Sequence, residues 1–217
     1  MPVIFNEHYK QGFVVGLWEI IEGLEELRER MIFTEEDIDY YGRFLVEKRQ
    51  KHWLASRLLL KELAGANYGN ILYDQNGKPF FSSGKCHLSY SHAGTMAAAI
   101  ISETMPVGID VERITPKLLG IKDRFLSDEE IRQMEDAVTP ERLCLGWCGK
   151  EALYKIYGQR RLDFRDHIRL SLPEPKDFGY FDGTIELGGF SHHYKLYYFW
   201  SGEYVTVYVA GDGRFSD

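Results

Sequence analysis

The segment GIDVER sets Asp110 and Glu112 two residues apart inside the apolar run MPVGIDVERI. In a strand alternate side chains share a face, so Val107, Ile109 and Val111 point one way while Gly108, Asp110 and Glu112 point the other. The two carboxylates then stand about 7 Å apart along the strand, with Gly108 expected to leave open space beside them. Unpaired acids at a half-buried position repel each other and lose hydration, so they need a counter-charge, either a basic side chain or a hard cation such as Mg²⁺. A solvated sheet face carries such pairs as well, and alone the pair decides nothing.

Three further stretches could do chemistry. In LGWCGKEALYKIYG, residues 145–158, helical geometry brings Trp147, Glu151 and Lys155 within about 80° of one another, with Lys150 flanking the stripe. An exposed helix face with a Glu-to-Lys pair would look the same, and Leu145, Cys148, Ala152, Leu153 and Ile156 can supply the apolar faces. In GKPFFSSGKCHLSYSH, Lys78 follows a turn and Ser91-His92 close a strand; such side chains at strand ends can clamp anionic oxygens, although a lone histidine is as readily a core or loop residue. The run EKRQKHWLASRLLLKEL gathers Lys48, Arg49, Lys51, His52, Arg57 and Lys61, which suits a phosphate-rich ligand or a solvated helix face.

The elements that must position these groups alternate between strand and helix. Residues 2–5 and 13–20 read as strands and 22–30 as a short acidic helix. Helical pattern runs from the N-cap Thr34 to about Leu63, broken near Arg43. Asn76-Gly77 marks a hairpin turn in NILYDQNGKPFF, and CHLSYSH, MAAAIIS and PVGIDVERI are strands. Ser127 starts one helix and Thr139-Pro140 another that ends before Gly158; HIRLSL, YFDGTIEL, YKLYYFW and YVTVYVA complete the strands. This order predicts an α+β fold of two similar halves, 1–103 and 104–217, arranged as a pseudo-dimer in which each mainly antiparallel sheet is packed by a long helix. No sequence repeat between them is evident.

Composition narrows the partners. With 217 residues, 44% of them hydrophobic, the chain can bury its own core, and it is expected to act as a monomer. A net charge of −7 argues against nucleic acid, so any anionic ligand must be held by a local cluster. No window approaches the roughly 18 apolar residues of a membrane helix, and MPVIFNEHYKQ lacks the basic-then-apolar order of a signal peptide, so a cytoplasmic location without membrane attachment is expected. Cys86, Cys144 and Cys148 have no metal-ligand spacing and suit small core residues.

Taken together, SYSH at 89–92, GIDVE at 108–112 and WCGKEALYK at 147–155 resemble the three motif blocks of the 4′-phosphopantetheinyl transferases, the single-chain, two-half type with the WxxKEA form, and GKP before the first block is typical of that family. The resemblance runs from about residue 49 to 165. It implies transfer of the 4′-phosphopantetheine arm of coenzyme A to a serine of an apo acyl or peptidyl carrier protein, with release of adenosine 3′,5′-bisphosphate. Carried over by position, Asp110, Glu112 and Glu151 would ligate Mg²⁺, and Glu151 or a water it holds could accept the serine proton. Lys155 would stabilise or protonate the leaving bisphosphate, and Lys78, Ser91 and His92 would hold the coenzyme phosphates. The 3′-phosphate would fall to Arg57 or, next, to Lys51. Trp147 is expected to pack the helix rather than touch substrate. Two other classes remain: a non-catalytic module that binds coenzyme A or a carrier protein, and a Mg²⁺-dependent hydrolase that cleaves pyrophosphate with water. The segment RITPKLLGIKDRF, with Arg113, Lys117, Lys122 and Arg124 against Asp123, is expected to meet an acidic carrier protein, with Arg160 and Arg161 as the next candidates.

Overall fold

A computed structural model describes residues 3–9, 12–65, 69–134, 137–160, 162–211 and 215–216. Strands β1 (Val3–Tyr9) and β2 (Phe13–Glu19) are followed by helices α1 (Leu24–Arg30), α2 (Glu35–Tyr41) and α3 (Glu47–Ala64). Next come β3 (Ile71–Tyr73), β4 (Pro79–Phe81), β5 (His87–Ala93), β6 (Met96–Ser102) and β7 (Val107–Arg113). Two short 3₁₀ turns lead to α4 (Asp128–Gln133), α5 (Pro140–Tyr157) and α6 (Phe164–His167), and then to β8 (Ile168–Leu170), β9 (Phe178–Leu187), β10 (Phe190–Ser201), β11 (Tyr204–Ala210) and β12 (Phe215–Ser216).

Local chemistry accounts for the helix boundaries. Thr34 and Ser127 each accept a hydrogen bond from the third residue of their helix, while the side chains of Asp37 and Glu130 reach back to the cap, two reciprocal capping boxes. Thr139 accepts from Arg142 N–H ahead of Pro140, and the left-handed Gly158 ends α5. The short α6 went unread in the sequence; Asp163 caps it by accepting from the backbone N–H groups of Arg165 and Asp166.

All the pairing is antiparallel and forms two main sheets, β1-β2-β6-β5 and β7-β11-β10-β9-β8 with β12 on β10, besides the β3–β4 hairpin. The fold is thus mixed α+β, in four layers. Helix α3 lies on one face of the first sheet, where Trp53, Leu54, Leu59 and Leu60 meet Trp18, Leu88, Ala97, Ala99 and Ile101. The other face turns Val15, Leu17, Ala98 and Ile100 against Val107, Ile109, Val111 and Tyr208 of the second sheet. On the far side of that sheet, α5 covers Leu196, Val205, Val207 and Val209 with Cys148, Ala152, Leu153 and Ile156. Each core follows the period of its elements, two along strands and 3.6 around helices. Strand β6 lies between α3 and the second sheet and is buried throughout, which explains its run of three alanines.

Gly108 corrects an expectation. No open space adjoins it: a Cβ there would lie 2.2 Å from the Ala152 carbonyl oxygen and 2.9 Å from Ile156 N. The glycine lets the backbone of α5 rest directly on β7.

Candidate active site

Strand β7 brings the acids to the face that α5 covers. Asp110 is 3% exposed. Its Oδ1 accepts from Ser91 Oγ at 2.6 Å and from Lys155 Nζ at 2.7 Å, whereas Oδ2 is buried with no hydrogen-bond partner among the described residues. The buried Cys148 thiol nearby donates to the Val205 carbonyl at 3.7 Å and also interacts with Asp110, which after desolvation raises its pKa. A buried carboxylate oxygen without a donor carries a desolvation cost, which a ligand or cation reaching it would offset. Glu112, half-buried, accepts from Trp147 Nε1 at 3.1 Å. Its pKa is pushed up to about 7, first by desolvation and then by the charge of Asp110, with Glu151 adding a smaller push against the bond from Trp147. Glu151 is raised for the same two leading reasons, and Lys155 opposes the rise. The charge of Asp110 thus raises both glutamates, and Lys155 opposes the rise in each.

The helical stripe is assembled as its spacing requires, with one exception. Lys155 is half-buried and also donates to the Ile109 carbonyl at 3.0 Å. Trp147 meets Phe125 edge-to-face at 5.2 Å and Phe164 at 5.6 Å, so it packs the helix and orients Glu112 together. Lys150 does not flank the stripe. It is 0% exposed on another side of α5 and donates at 2.8 Å each to Glu130 and to the carbonyls of Phe164 and Ile168. Desolvation, opposed by Glu130, lowers its pKa to about 8.

The first sheet and the hairpin contribute the opposite wall. Lys78 donates to the Ile156 carbonyl at 3.0 Å across Gly158, so the hairpin is tied to the end of α5; desolvation lowers its pKa. His92 is exposed and stacks on His52 at 4.3 Å, while His52 Nε2 bonds the Gly94 carbonyl at 2.8 Å. Desolvation first and His52 second lower the His92 pKa, favouring the neutral ring. A cavity of about 270 Å³ opens between the hairpin, β5 and the end of α5, lined among others by Tyr73, Lys78, Ser89, Tyr90, Tyr154 and Lys155.

Arg57 is not at this surface. It is 3% exposed, donates to the Ile71 carbonyl and Tyr73 Oη, lies 4.0 Å from Asp37 and stacks over Trp53 and Tyr73. The expectation that it reads a phosphate gives way to a structural role, because its planar cation is enclosed by aromatic rings. Lys51 on the same helix is half-buried and remains available. Of the charged segment after β7, Lys117 and Arg124 are exposed, but Arg113 is paired with Glu203 at 2.6 Å and Lys122 with Asp123 at 3.5 Å. Arg160 is exposed, and Arg161 lies outside the described residues.

Sequence reasoning missed Ser89, Tyr73, Tyr90 and Tyr154 as cavity residues. Ser89 alone had a local signal, since it lies two residues before Ser91 and shares its strand face. Among the described residues, no three His, Cys, Asp or Glu side chains, Asp110, Glu112 and Glu151 included, are grouped closely enough to hold a metal ion. Hard oxygen donors and the orphaned Asp110 Oδ2 nonetheless fit a Mg²⁺ bound by one or two carboxylates and completed by water and phosphate. No helix among the described residues is long and apolar enough to cross a membrane.

Residues 106–208 match the 4′-phosphopantetheinyl transferase superfamily, a span that holds Asp110, Glu112, Glu151 and Lys155. Over 117 residues the chain is 34% identical to the 4′-phosphopantetheinyl transferase AcpT of Salmonella typhi, covering 51% of this chain and 60% of that one. It is 28% identical over 146 residues to the 4′-phosphopantetheinyl transferase psf-1 of Bacillus pumilus, covering 63% and 61%. A 4′-phosphopantetheinyl transferase of Bacillus subtilis is 25% identical over 171 residues, 69% of this chain and 75% of that one. The chain spans about three fifths of the length of the first two of these relatives.

Proposed function

We propose that the chain is a member of the 4′-phosphopantetheinyl transferase superfamily, which its residues 106–208 match, and that it transfers the phosphopantetheine arm of coenzyme A to a serine of an apo acyl or peptidyl carrier protein, releasing adenosine 3′,5′-bisphosphate. The observation that carries this reading is Asp110, whose Oδ1 is fixed by Ser91 and Lys155 while Oδ2 stays buried and unpartnered. In the reaction the serine oxygen bonds to the phosphorus that bears the pantetheine arm, the pyrophosphate P–O bond breaks, and the bisphosphate departs with that electron pair. Asp110, Glu112 and Glu151 would hold Mg²⁺, which when bound neutralises the pyrophosphate. Lys155, already 2.7 Å from Asp110, donates to the oxygen that gains charge on the leaving group. Glu151 or a water it orients takes the serine proton. Lys78 and His92 supply donors for the coenzyme phosphates, while Ser91, expected in the same role, gives its one hydroxyl proton to Asp110, and Lys51 takes the 3′-phosphate in place of the enclosed Arg57. The halves 1–103 and 104–217 act as a pseudo-dimer, with the cleft between them as the site.

Apo carrier protein incubated with coenzyme A, Mg²⁺ and this protein should gain the mass of one phosphopantetheine unit, and Asp110→Ala or Glu151→Ala should abolish the gain while the protein stays folded. Binding of coenzyme A without any gain would identify a non-catalytic module instead. Release of bisphosphate with no carrier present would identify a hydrolase.

A further inference from the structure

Strand β7 ends its sheet and, among the described residues, pairs through its backbone only with β11. β5 lies along its other edge without pairing to it, and there the two peptide groups around Ile109 are held by side chains. Ile109 N–H donates to Ser89 Oγ at 3.2 Å, and the Ile109 carbonyl accepts from Lys155 Nζ at 3.0 Å. That carbonyl belongs to the peptide unit leading into Asp110, so these two contacts set the plane from which the carboxylate projects. Ser89 and Ser91 share one face of β5; the first holds the strand and the second holds the carboxylate at 2.6 Å. Ile109 is 0% exposed and Ser89 4%, so no bulk water substitutes for either partner.

We propose that Ser89 is a positioning residue for Asp110, anchoring the free edge of β7 when Lys155 turns from the Ile109 carbonyl to the ligand. The inference rests on the transfer reading, because that reading gives Lys155 a phosphate to approach. Once the ammonium leaves, the Ile109 carbonyl loses its donor and the serine hydroxyl remains as the side-chain anchor at this residue. The serine also lines the cavity beside Lys155, so strand geometry and ligand occupancy meet at one side chain.

Ser89→Ala and Ser89→Thr, each compared with the wild-type protein, test this. In Ser89→Ala the Ile109 amide should exchange with deuterium about tenfold faster, as expected for one lost buried hydrogen bond. Its kcat should fall by a similar factor with the KM for coenzyme A nearly unchanged, and the rise in Tm produced by Mg²⁺ should shrink. Ser89→Thr, which keeps the hydroxyl, should recover all three. Wild-type exchange at Ile109 in Ser89→Ala would overturn the proposal, and so would equal losses in the alanine and threonine variants, which would assign the effect to packing. If the wild-type protein modifies no carrier, the transfer reading fails separately, and amide exchange with the Mg²⁺-induced Tm shift decides the role of Ser89.

Discussion

Helices α3 and α5 are both 18 residues long, and each covers one sheet beside a glycine, yet they are seated differently. At Gly16 of β2, a Cβ would meet the methyl groups of Leu59 and Leu63 at 2.9–3.1 Å, the movable ends of side chains. At Gly108 of β7 it would meet the α5 backbone itself. Each helix also buries a cation. Arg57 of α3 sits among Trp53, Tyr73 and the Ile71 carbonyl, 4.0 Å from Asp37, whereas Lys150 of α5 is paired directly with Glu130 at 2.8 Å. Side-chain packing on the α3 side can adjust; backbone contact and a close ion pair on the α5 side cannot. The reacting groups lie on the unyielding side, where Glu151 and Lys155 must keep register with Asp110.

The largest effect should come from Lys150→Ala, which leaves Glu130 charged and buried and should cost about 3–5 kcal/mol in urea unfolding. Arg57→Leu should cost clearly less, and equal losses would erase the distinction between the two cations. Next, Gly108→Ala should destabilise by roughly 3 kcal/mol because the α5 backbone must move, against about 1 kcal/mol for Gly16→Ala. Denaturation curves for the two variants that superimpose would break the comparison at its root.

A smaller effect concerns pH. Glu112, with a folded pKa of about 7 against an ordinary 4.5, binds more protons folded than unfolded between those values, so stability falls as pH rises through that window. Without metal the loss should be on the order of 2 kcal/mol from about pH 5 to about pH 8, after allowance for solvent screening. Glu112→Gln should flatten the dependence, and Mg²⁺ with coenzyme A should oppose the loss. A slope unchanged in Glu112→Gln would move its origin elsewhere. The smallest effect belongs to the surface: reversing the exposed charges of Lys117 and Arg124 should lower carrier kcat/KM at low salt and flatten its salt dependence, with KM for coenzyme A unmoved. Salt curves that match the wild type would point to Arg160.

Much of this architecture was legible because local rules and tertiary demands agree. Period-two alternation put Asp110 and Glu112 on one face of β7, and the cap residues Thr34, Ser127 and Thr139 mark their helices. What stayed hidden depends on neighbours far along the chain. Arg57 reads as part of a solvated basic run, and only Asp37, Ile71 and Tyr73, brought in by α2 and β3, enclose it. Lys150 is adjacent to Glu151, but its role is set by Glu130 and by carbonyls after α5. Gly108 looked like vacant space because nothing in a strand's own sequence records how closely a helix 40-odd residues later will approach.

The pairing of β7 also sets an order of assembly. Every strand of the first sheet, and α3 upon it, lies before residue 103, so that layer pair can close while the rest of the chain is still being made. β7 cannot follow at once: Val107 pairs with Ala210 and Arg113 with Tyr204, partners synthesised roughly ninety to a hundred residues later. During that interval Asp110 and Glu112 hang on an unpaired strand, ahead of both α5 and β11. The site therefore forms late, and a ribosome stalled before β11 would carry a finished first sheet with Asp110 and Glu112 not yet set in their places.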